Sequence, residues 1–204
     1  PKTLLEWLKE SENLDNDLPK NYYEWGILLN RLQSLIKLEN EFIEDICYDD
    51  PKKERILFPI KLILNDIRSP FNVGAIFRTS EAFGVSEIIL SGITPTPENN
   101  SKVLKTSKNS EIFYSFSDNI IDKIKNLKSQ DFNIVSLEKT ANSLPINETD
   151  LRYPLCLIVG NEEFGVQKEL LELSDYIVHI KLFGKKNSIN VGIATGIALN
   201  LITL

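Results

Sequence analysis

The chain has 204 residues, of which 42% are hydrophobic and 25% are charged, and its formal net charge is −6. A chain of this length can bury the core of one main domain and carry a modest appendage without disulfides or a structural metal. No apolar run approaches the roughly 20 residues of a membrane span, and Cys47, Cys156 and His179 are too far apart in sequence to indicate a metal site or a disulfide framework. We therefore expect a cytoplasmic protein without membrane or metal partners.

The acidic charge is concentrated at the start of the chain. Residues 1–55 carry 8 basic and 13 acidic side chains, a net charge of −5, whereas residues 56–204 carry 15 and 16, a net charge of −1. Because nucleic-acid-binding surfaces are generally basic, any such contact must come from local clusters. Two clusters are present: Lys102, Lys105 and Lys108, and Lys181, Lys185 and Lys186. Each is explained equally well as ordinary solvated surface.

The first 55 residues have the pattern of a helical hairpin. Apolar residues recur at helical spacing over residues 23–46, which predicts a long amphipathic helix, and a shorter helix is predicted over residues 3–13. Residues 49–55, with a proline and several charges, have the composition of a linker. We therefore predict two domains, an α-helical N-terminal extension over residues 1–55 and a second domain over residues 56–204.

In the second domain, short runs rich in Ile, Val and Leu alternate with segments of helical spacing. Strands are predicted over residues 56–64, 87–91, 132–137, 155–160 and 176–182. Helices are predicted over residues 73–83, 119–129, 167–173 and 189–204. This alternation predicts an α/β fold, with a mostly parallel sheet covered by helices on both faces.

Ligands of such sheets bind beyond the carboxyl ends of the strands. The loops that follow Leu64, Leu137, Gly160 and Leu182 are therefore the places to look for a site. The glycine triplet of the usual dinucleotide site is missing, since the chain contains no G-x-G at all. A Rossmann cofactor site is disfavoured.

The first of these loops leads into a helix with a polar start. Asn72 can cap that helix, and Arg78 lies near two turns further along. A helix N-terminus with an arginine nearby suits a phosphate or a ribose hydroxyl. An ordinary capped helix with a salt-bridged arginine would give the same pattern.

The loop that begins at Gly160 combines glycine with acidic residues. Gly160 permits close approach of the backbone, and Gly165 permits a positive φ before the next helix. Glu162 and Glu163 precede that helix, whose dipole favours negative charge. By itself, this is also the pattern of a simple capped loop.

The last stretch contains Ser188 and Asn190, which are predicted to cap the closing helix. That helix is rich in small residues, which allow close packing between backbones: Gly192, Ala194, Gly196 and Ala198. A tightly packed C-terminal helix is the plain structural explanation.

Together, and in this order, the three stretches resemble the motifs of the SpoU, or TrmH-like, branch of the SPOUT methyltransferases. The motifs N-x-G-x-x-x-R-T, G-N-E-x-x-G and S-[LIM]-N-V match, in turn, Asn72, Gly74, Arg78 and Thr79; Gly160, Asn161, Glu162 and Gly165; and Ser188, Ile189, Asn190 and Val191. The resemblance covers about residues 56–204, and it implies a C-terminal deep trefoil knot, a rare exception to un-knotted chain connections.

The resemblance further implies a homodimer, with the site at the subunit interface, that uses S-adenosylmethionine to methylate a ribose 2′-hydroxyl of tRNA or rRNA. It places the methyl donor in the knot, against Leu137, Gly160, Ile180, Ser188 and Ile189. It assigns catalysis to Arg78, Asn72, Glu162, Ser188 and Asn190. Because a guanidinium has a pKa above about 12, we expect Arg78 to orient the hydroxyl and stabilise the developing oxyanion rather than act as a base.

Two other classes of protein fit parts of this pattern. A non-catalytic RNA-binding or regulatory module could share the same fold, although the retained Arg78, Ser188 and Asn190 argue against it. An unrelated α/β nucleotide-binding enzyme is the second alternative, and it would show no affinity for S-adenosylmethionine.

Overall fold

The computed structural model describes residues 21–39, 54–107 and 110–204, and the chain divides into two compact units, Pro1–Lys53 and Glu54–Leu204. In the first unit the described element is helix α1, Tyr22–Glu39. It coincides with most of the helix predicted over residues 23–46. Residues 40–46 of that prediction, the helix predicted over residues 3–13 and residues 49–53 of the predicted linker lie outside the described residues.

The second unit is built on a seven-stranded sheet. Its strands are β1 (Phe58–Asn65), β2 (Val85–Ser91), β3 (Tyr114–Ser117), β4 (Asn133–Leu137), β5 (Leu144–Pro145), β6 (Leu155–Val159) and β7 (Tyr176–His179). They are hydrogen-bonded in the order β3-β2-β1-β6-β4-β7-β5, and every neighbouring pair is parallel. The predicted parallel sheet is confirmed.

Helices cover both faces of this sheet. They are α2 (Pro70–Ala82), α3 (Ser101–Ser107), α4 (Ile120–Ser129), α5 (Lys168–Leu173) and α6 (Val191–Thr203), with a 3₁₀ turn at Ile146–Glu148. Apolar residues of α2, α3 and α6 form one core cluster with one face of the sheet. Apolar residues of α4 and α5 form a second cluster with the other face. The three layers explain why the strands are apolar on both sides.

Strand β1 shows how the sequence supplies both cores. Leu62 and Leu64 point into the cluster with α2 and α6, and Ile63 between them points into the cluster with α4 and α5. All three side chains are fully buried. Since successive strand residues face opposite sides, an unbroken apolar run is what a central strand covered on both faces needs.

Several element boundaries differ from those predicted. Helix α2 begins at Pro70, three residues early, because Ser69 is its N-cap and proline suits the first helical position. The strand predicted over residues 176–182 ends at His179. The chain from there to Asn190 has no regular secondary structure. Helix α3 and strands β3 and β5 were not predicted.

The order of the strands places several loops side by side. Strand β6 lies between β1 and β4, and β7 lies on the other side of β4. The carboxyl ends of these four parallel strands therefore share one edge, where the strand order reverses and ligands of open α/β sheets bind. The trefoil knot stays a prediction. Over the described ranges 21–39, 54–107 and 110–204, no helix is long and apolar enough to cross a membrane.

Candidate active site

A cavity of about 310 Å³ opens at the carboxyl edge of the sheet. The ends of β4, β6 and β7, the irregular segment after β7 and the start of α6 line it. Its wall contains all five residues that the resemblance assigns to the methyl donor: Leu137, Gly160, Ile180, Ser188 and Ile189. We call it the edge cavity.

The loop after β6 is folded tightly upon itself. Asn161 and Gly165 exchange two backbone hydrogen bonds, of 3.0 and 2.9 Å. Gly165 has the predicted positive φ, +71°, a conformation that costs little only for glycine. A side chain at Gly160 would collide with the backbone of Gly165. Both glycines are therefore required by the shape of the cavity wall.

Asn161 connects this loop to the end of β1. Its Nδ2 donates to the backbone oxygen of Asp66 at 2.7 Å. Its Oδ1 accepts from the backbone N–H groups of Glu163, at 2.9 Å, and Phe164, at 3.1 Å. The buried amide thus uses both ends, which is the usual condition for burying a polar group. The sequence analysis gave Asn161 no role beyond its place in the motif.

Glu162 joins the second motif to the first. One carboxylate oxygen accepts from the backbone N–H of Arg68 at 2.9 Å. The other accepts from the N–H of Ser69 at 3.0 Å and from Nδ2 of Asn72 at 2.9 Å. Partial burial raises the pKa of Glu162, but these donors outweigh it and hold the pKa below its ordinary value. The side chain is therefore an anion at neutral pH.

Asn190 joins the third motif to the other two. Its Nδ2 donates to Oδ1 of Asn72 at 3.0 Å. Its own Oδ1 accepts from the backbone N–H groups of Gly192, at 2.9 Å, and Ile193, at 3.2 Å, and so caps α6 as predicted. One chain of hydrogen bonds, Glu162–Asn72–Asn190, therefore ties the three motifs together beside the edge cavity.

Three of the predicted caps and dipole contacts are wrong. Asn72 does not cap α2, because Ser69 takes that position and leaves the Asn72 amide free to bridge the motifs. Ser188 does not cap α6, since Asn190 does. Glu162 does not act at the start of the following helix α5, which begins at Lys168, but binds N–H groups at the start of α2 instead.

The predicted catalytic residues do not all reach the cavity. Glu162, Ser188 and Asn190 line it, and Asn72 is hydrogen-bonded to two of them. Arg78 is exposed on α2 and is not in the cavity wall of the single chain. Within the described part of the chain the side chain of Arg78 forms no ion pair or hydrogen bond. The sequence pattern is therefore not that of an ordinary capped helix with a salt-bridged arginine.

Among the cavity-lining side chains to which the sequence analysis assigned no role, two make hydrogen bonds that shape the wall. Glu138 directly follows β4 and accepts the backbone N–H of Val166 at 2.9 Å, which fixes the glycine loop against β4. His179 ends β7, and its Nδ1 lies 2.9 Å from the hydroxyl of Ser143. Their position at the end of a strand was the available sequence signal.

The fold and the edge cavity define a three-layer α/β protein whose ligand site lies at the carboxyl edge of a parallel sheet and is built without a glycine triplet. The chain belongs to the SpoU rRNA methylase family, whose model matches residues 59–200. The predicted family and fold class are confirmed. The unrelated nucleotide-binding alternative is excluded by this membership.

Several relatives and solved structures carry related names. An uncharacterized tRNA/rRNA methyltransferase of Borreliella burgdorferi is 31% identical, over 80% of this chain and 71% of its own. The tRNA (guanosine(18)-2′-O)-methyltransferase of Aquifex aeolicus is 30% identical, over 66% of this chain and 64% of its own. The AdoMet-bound rRNA methyltransferase structure from Sinorhizobium meliloti is 28% identical, with a TM-score of 0.65. The match covers 75% of this chain and 57% of that one. This chain thus spans between 57% and 71% of their lengths.

Proposed function

We propose that the chain transfers a methyl group from S-adenosylmethionine to a ribose 2′-hydroxyl of tRNA or rRNA. The observation that carries the proposal is the hydrogen-bond chain Glu162–Asn72–Asn190, which assembles the three motifs beside the edge cavity. The names of the Aquifex and Sinorhizobium relatives support the reaction, the cofactor and the RNA substrate. Cytoplasmic location stays a prediction.

The residues of the edge cavity suit S-adenosylmethionine. Its volume falls at the lower end of the about 300–1,000 Å³ usual for small-molecule sites. Leu137, Ile180 and Ile189 offer an apolar surface for a flat adenine ring. The carboxylates of Glu138 and Glu162 complement a positively charged ligand. When bound, this cofactor supplies a methyl group on a sulfonium, which is already a good electrophile.

The protein's task is then to position and activate a weak nucleophile, the 2′-oxygen. Arg78, with no competing partner in the described chain, can donate hydrogen bonds to that oxygen and stabilise the charge that develops on it. The hydroxyl proton passes to a substrate phosphate or to water. Glu162, Asn72 and Asn190 hold the loops in position through their own hydrogen bonds.

We also propose that the active form is a homodimer. An apolar groove of about 540 Å³ runs between α2 and α6 on the surface of the chain. Ile193, Ile197 and Leu201 of α6 stay exposed along it, which is unusual for three aliphatic side chains in a row. Asn190 borders both this groove and the edge cavity. A second copy covering the groove would therefore bring its own groups, Arg78 among them, to the cavity mouth.

Sedimentation equilibrium tests the dimer. Ile197→Asp, in the groove, is expected to give a monomer with lost methyl transfer. Lys125→Asp, at an exposed position of α4 on the other face of the sheet, should keep the dimer. A wild-type monomer with full activity would contradict the proposal.

The reaction is tested with labelled S-adenosylmethionine and, separately, unmodified tRNA and rRNA from a methylation-deficient source, followed by digestion to nucleosides. Label in a 2′-O-methylnucleoside from one pool is the expected result, and it names the substrate class. Tight donor binding without label in either pool would favour the non-catalytic module instead. No label and no donor binding would overturn the proposed function altogether.

A further inference from the structure

Two phenylalanines stand almost fully exposed on the two loops that border the edge cavity. Phe183 is 92% exposed and lies between Leu182 and Gly184, which is followed by two lysines. Phe164 is 80% exposed and lies between Glu163 and Gly165. Three of their neighbours, Leu182, Glu163 and Gly165, line the cavity. Both rings therefore stand at its rim, where an incoming substrate must pass.

The neighbours of Phe183 fix which way its ring points. Lys181 is held by an ion pair with Glu148, at 3.2 Å. Leu182 is half-buried and occupies the inward position in the cavity wall. With Leu182 turned inward, Phe183 is directed to solvent, so its exposure follows from how the segment is anchored. A phenyl ring displayed in this way has both faces free to stack.

Free positive charge surrounds the same rim. Lys185 and Lys186 are separated from Phe183 only by Gly184, are exposed and have no hydrogen-bond or ion-pair partner within the described ranges. Lys139, in the cavity wall, is also exposed, and its side-chain ammonium has no ion pair or hydrogen bond within those ranges. Residues 56–204 have a net charge of only −1, but the charged side chains of residues 181–187 are all lysines, so this segment is locally basic. It complements a polyanion.

From this arrangement we infer that residues 181–187 form the RNA-binding loop of the site, and that Phe183 stacks on an unpaired base while Lys185 and Lys186 contact the flanking phosphates. This inference rests on the proposed RNA substrate and narrows it to unpaired segments. Bases inside a duplex are already stacked on both faces, whereas those of loops and single strands present a free face to an aromatic side chain.

Binding can be measured without turnover, by fluorescence anisotropy of a labelled single-stranded RNA of about 16 nucleotides, long enough for such a site, and of the same strand in a duplex. The wild-type protein is expected to prefer the single strand. Phe183→Ala should weaken that binding about tenfold, and Phe183→Trp should restore it. Phe113→Ala is the matched control, because Phe113 is 67% exposed but precedes β3 at the opposite edge of the sheet.

The salt dependence of RNA binding tests the proposed phosphate contacts of the lysines. Lys185→Gln should reduce the slope of log affinity against log salt by about 0.7, the value for one phosphate contact on single-stranded RNA. Lys125→Gln, on the exposed side of α4, should leave the slope unchanged. Affinity for S-adenosylmethionine, measured by calorimetry, should be the same in all these variants.

Three results would overturn the inference: equal binding by wild type and Phe183→Ala, equal wild-type affinity for single strand and duplex, or loss of the dimer in Phe183→Ala. The last would mean that the ring serves a second copy of the chain. Methyl transfer separates this inference from the proposed function. Wild-type turnover together with any of these three results removes the inference alone. Single-strand binding through Phe183 without any turnover removes the proposed function alone.

Discussion

Replacing Glu162 with glutamine removes one bond from the network that joins the motifs. Glutamine can offer its oxygen to the N–H of Ser69 and to Asn72, but its NH₂ group then faces the N–H of Arg68, donor against donor. A hydrogen bond to a charged group contributes about 1.5–3 kcal/mol. Because Glu162 is partly exposed, we reduce the expected loss to about 1–2 kcal/mol. For a unit of this size the melting temperature should fall by about 3–6 °C.

This loss should depend on pH in a defined direction. Burial raises the pKa of Glu162, and the N–H donors lower it by more, so the folded-state pKa lies below the ordinary value of 4.5. A carboxyl group of this kind stabilises the fold above its unfolded pKa and loses that contribution as the pH falls through its folded pKa. The difference in stability between wild type and Glu162→Gln is therefore full at pH 7 and shrinks below pH 4.5.

Thermal unfolding followed by far-ultraviolet circular dichroism measures both effects. Glu163→Gln is the matched control, because Glu163 only forms a surface ion pair with Arg68, at 2.9 Å, in which both side chains are more than half exposed. Its cost should stay within about 0.5 kcal/mol. Equal losses in the two variants, or a loss for Glu162→Gln that does not change with pH, would refute the reasoning.

Three further substitutions test other parts of the site. Gly160→Ala should abolish calorimetric binding of S-adenosylmethionine, because its methyl group collides with the backbone of Gly165. Gly74→Ala should cost about 1–3 kcal/mol in denaturant titrations, because a Cβ there lies 2.9 Å from the oxygen of Val103 and forces α3 away from α2. Arg78→Ala should lower kcat by about 10²–10³ and leave donor affinity nearly intact; a variant with most of its turnover would contradict the assignment.

The elements that the sequence predicted are those with long, one-sided or fully apolar patterns. Strands β1 and β6 are buried on both faces, so their apolar runs were unambiguous. Strand β3 was missed because Tyr114–Ser117 is a short edge strand with no residue fully buried. Helix α3 was missed because its sequence contains only two apolar residues, Val103 and Leu104, which is too few for a periodic pattern. Its packing depends on Gly74, a contact that local sequence does not reveal.

The residues of the site could be predicted from the sequence, but the hydrogen bonds that connect them could not. The motifs named Asn72, Glu162 and Asn190, yet the bonds between them join residues 90 and 118 positions apart. Local capping rules even pointed the wrong way for Asn72, since Ser69 was an equally good cap three residues earlier. Only the sheet order, which places β6 beside β1, brings the two loops together.

The position of Arg78 bears on its chemical role. A general base must give up its proton before it can take one, and a guanidinium, with a pKa above about 12, almost never does so at neutral pH. Arg78 is exposed and has no hydrogen-bond or ion-pair partner in the described chain. What such a side chain does well is donate several hydrogen bonds to an oxygen or a phosphate that arrives with the substrate. We therefore propose that Arg78, brought to the cavity mouth by a second copy of the chain, orients the hydroxyl and stabilises the developing charge, while the hydroxyl proton leaves to phosphate or water.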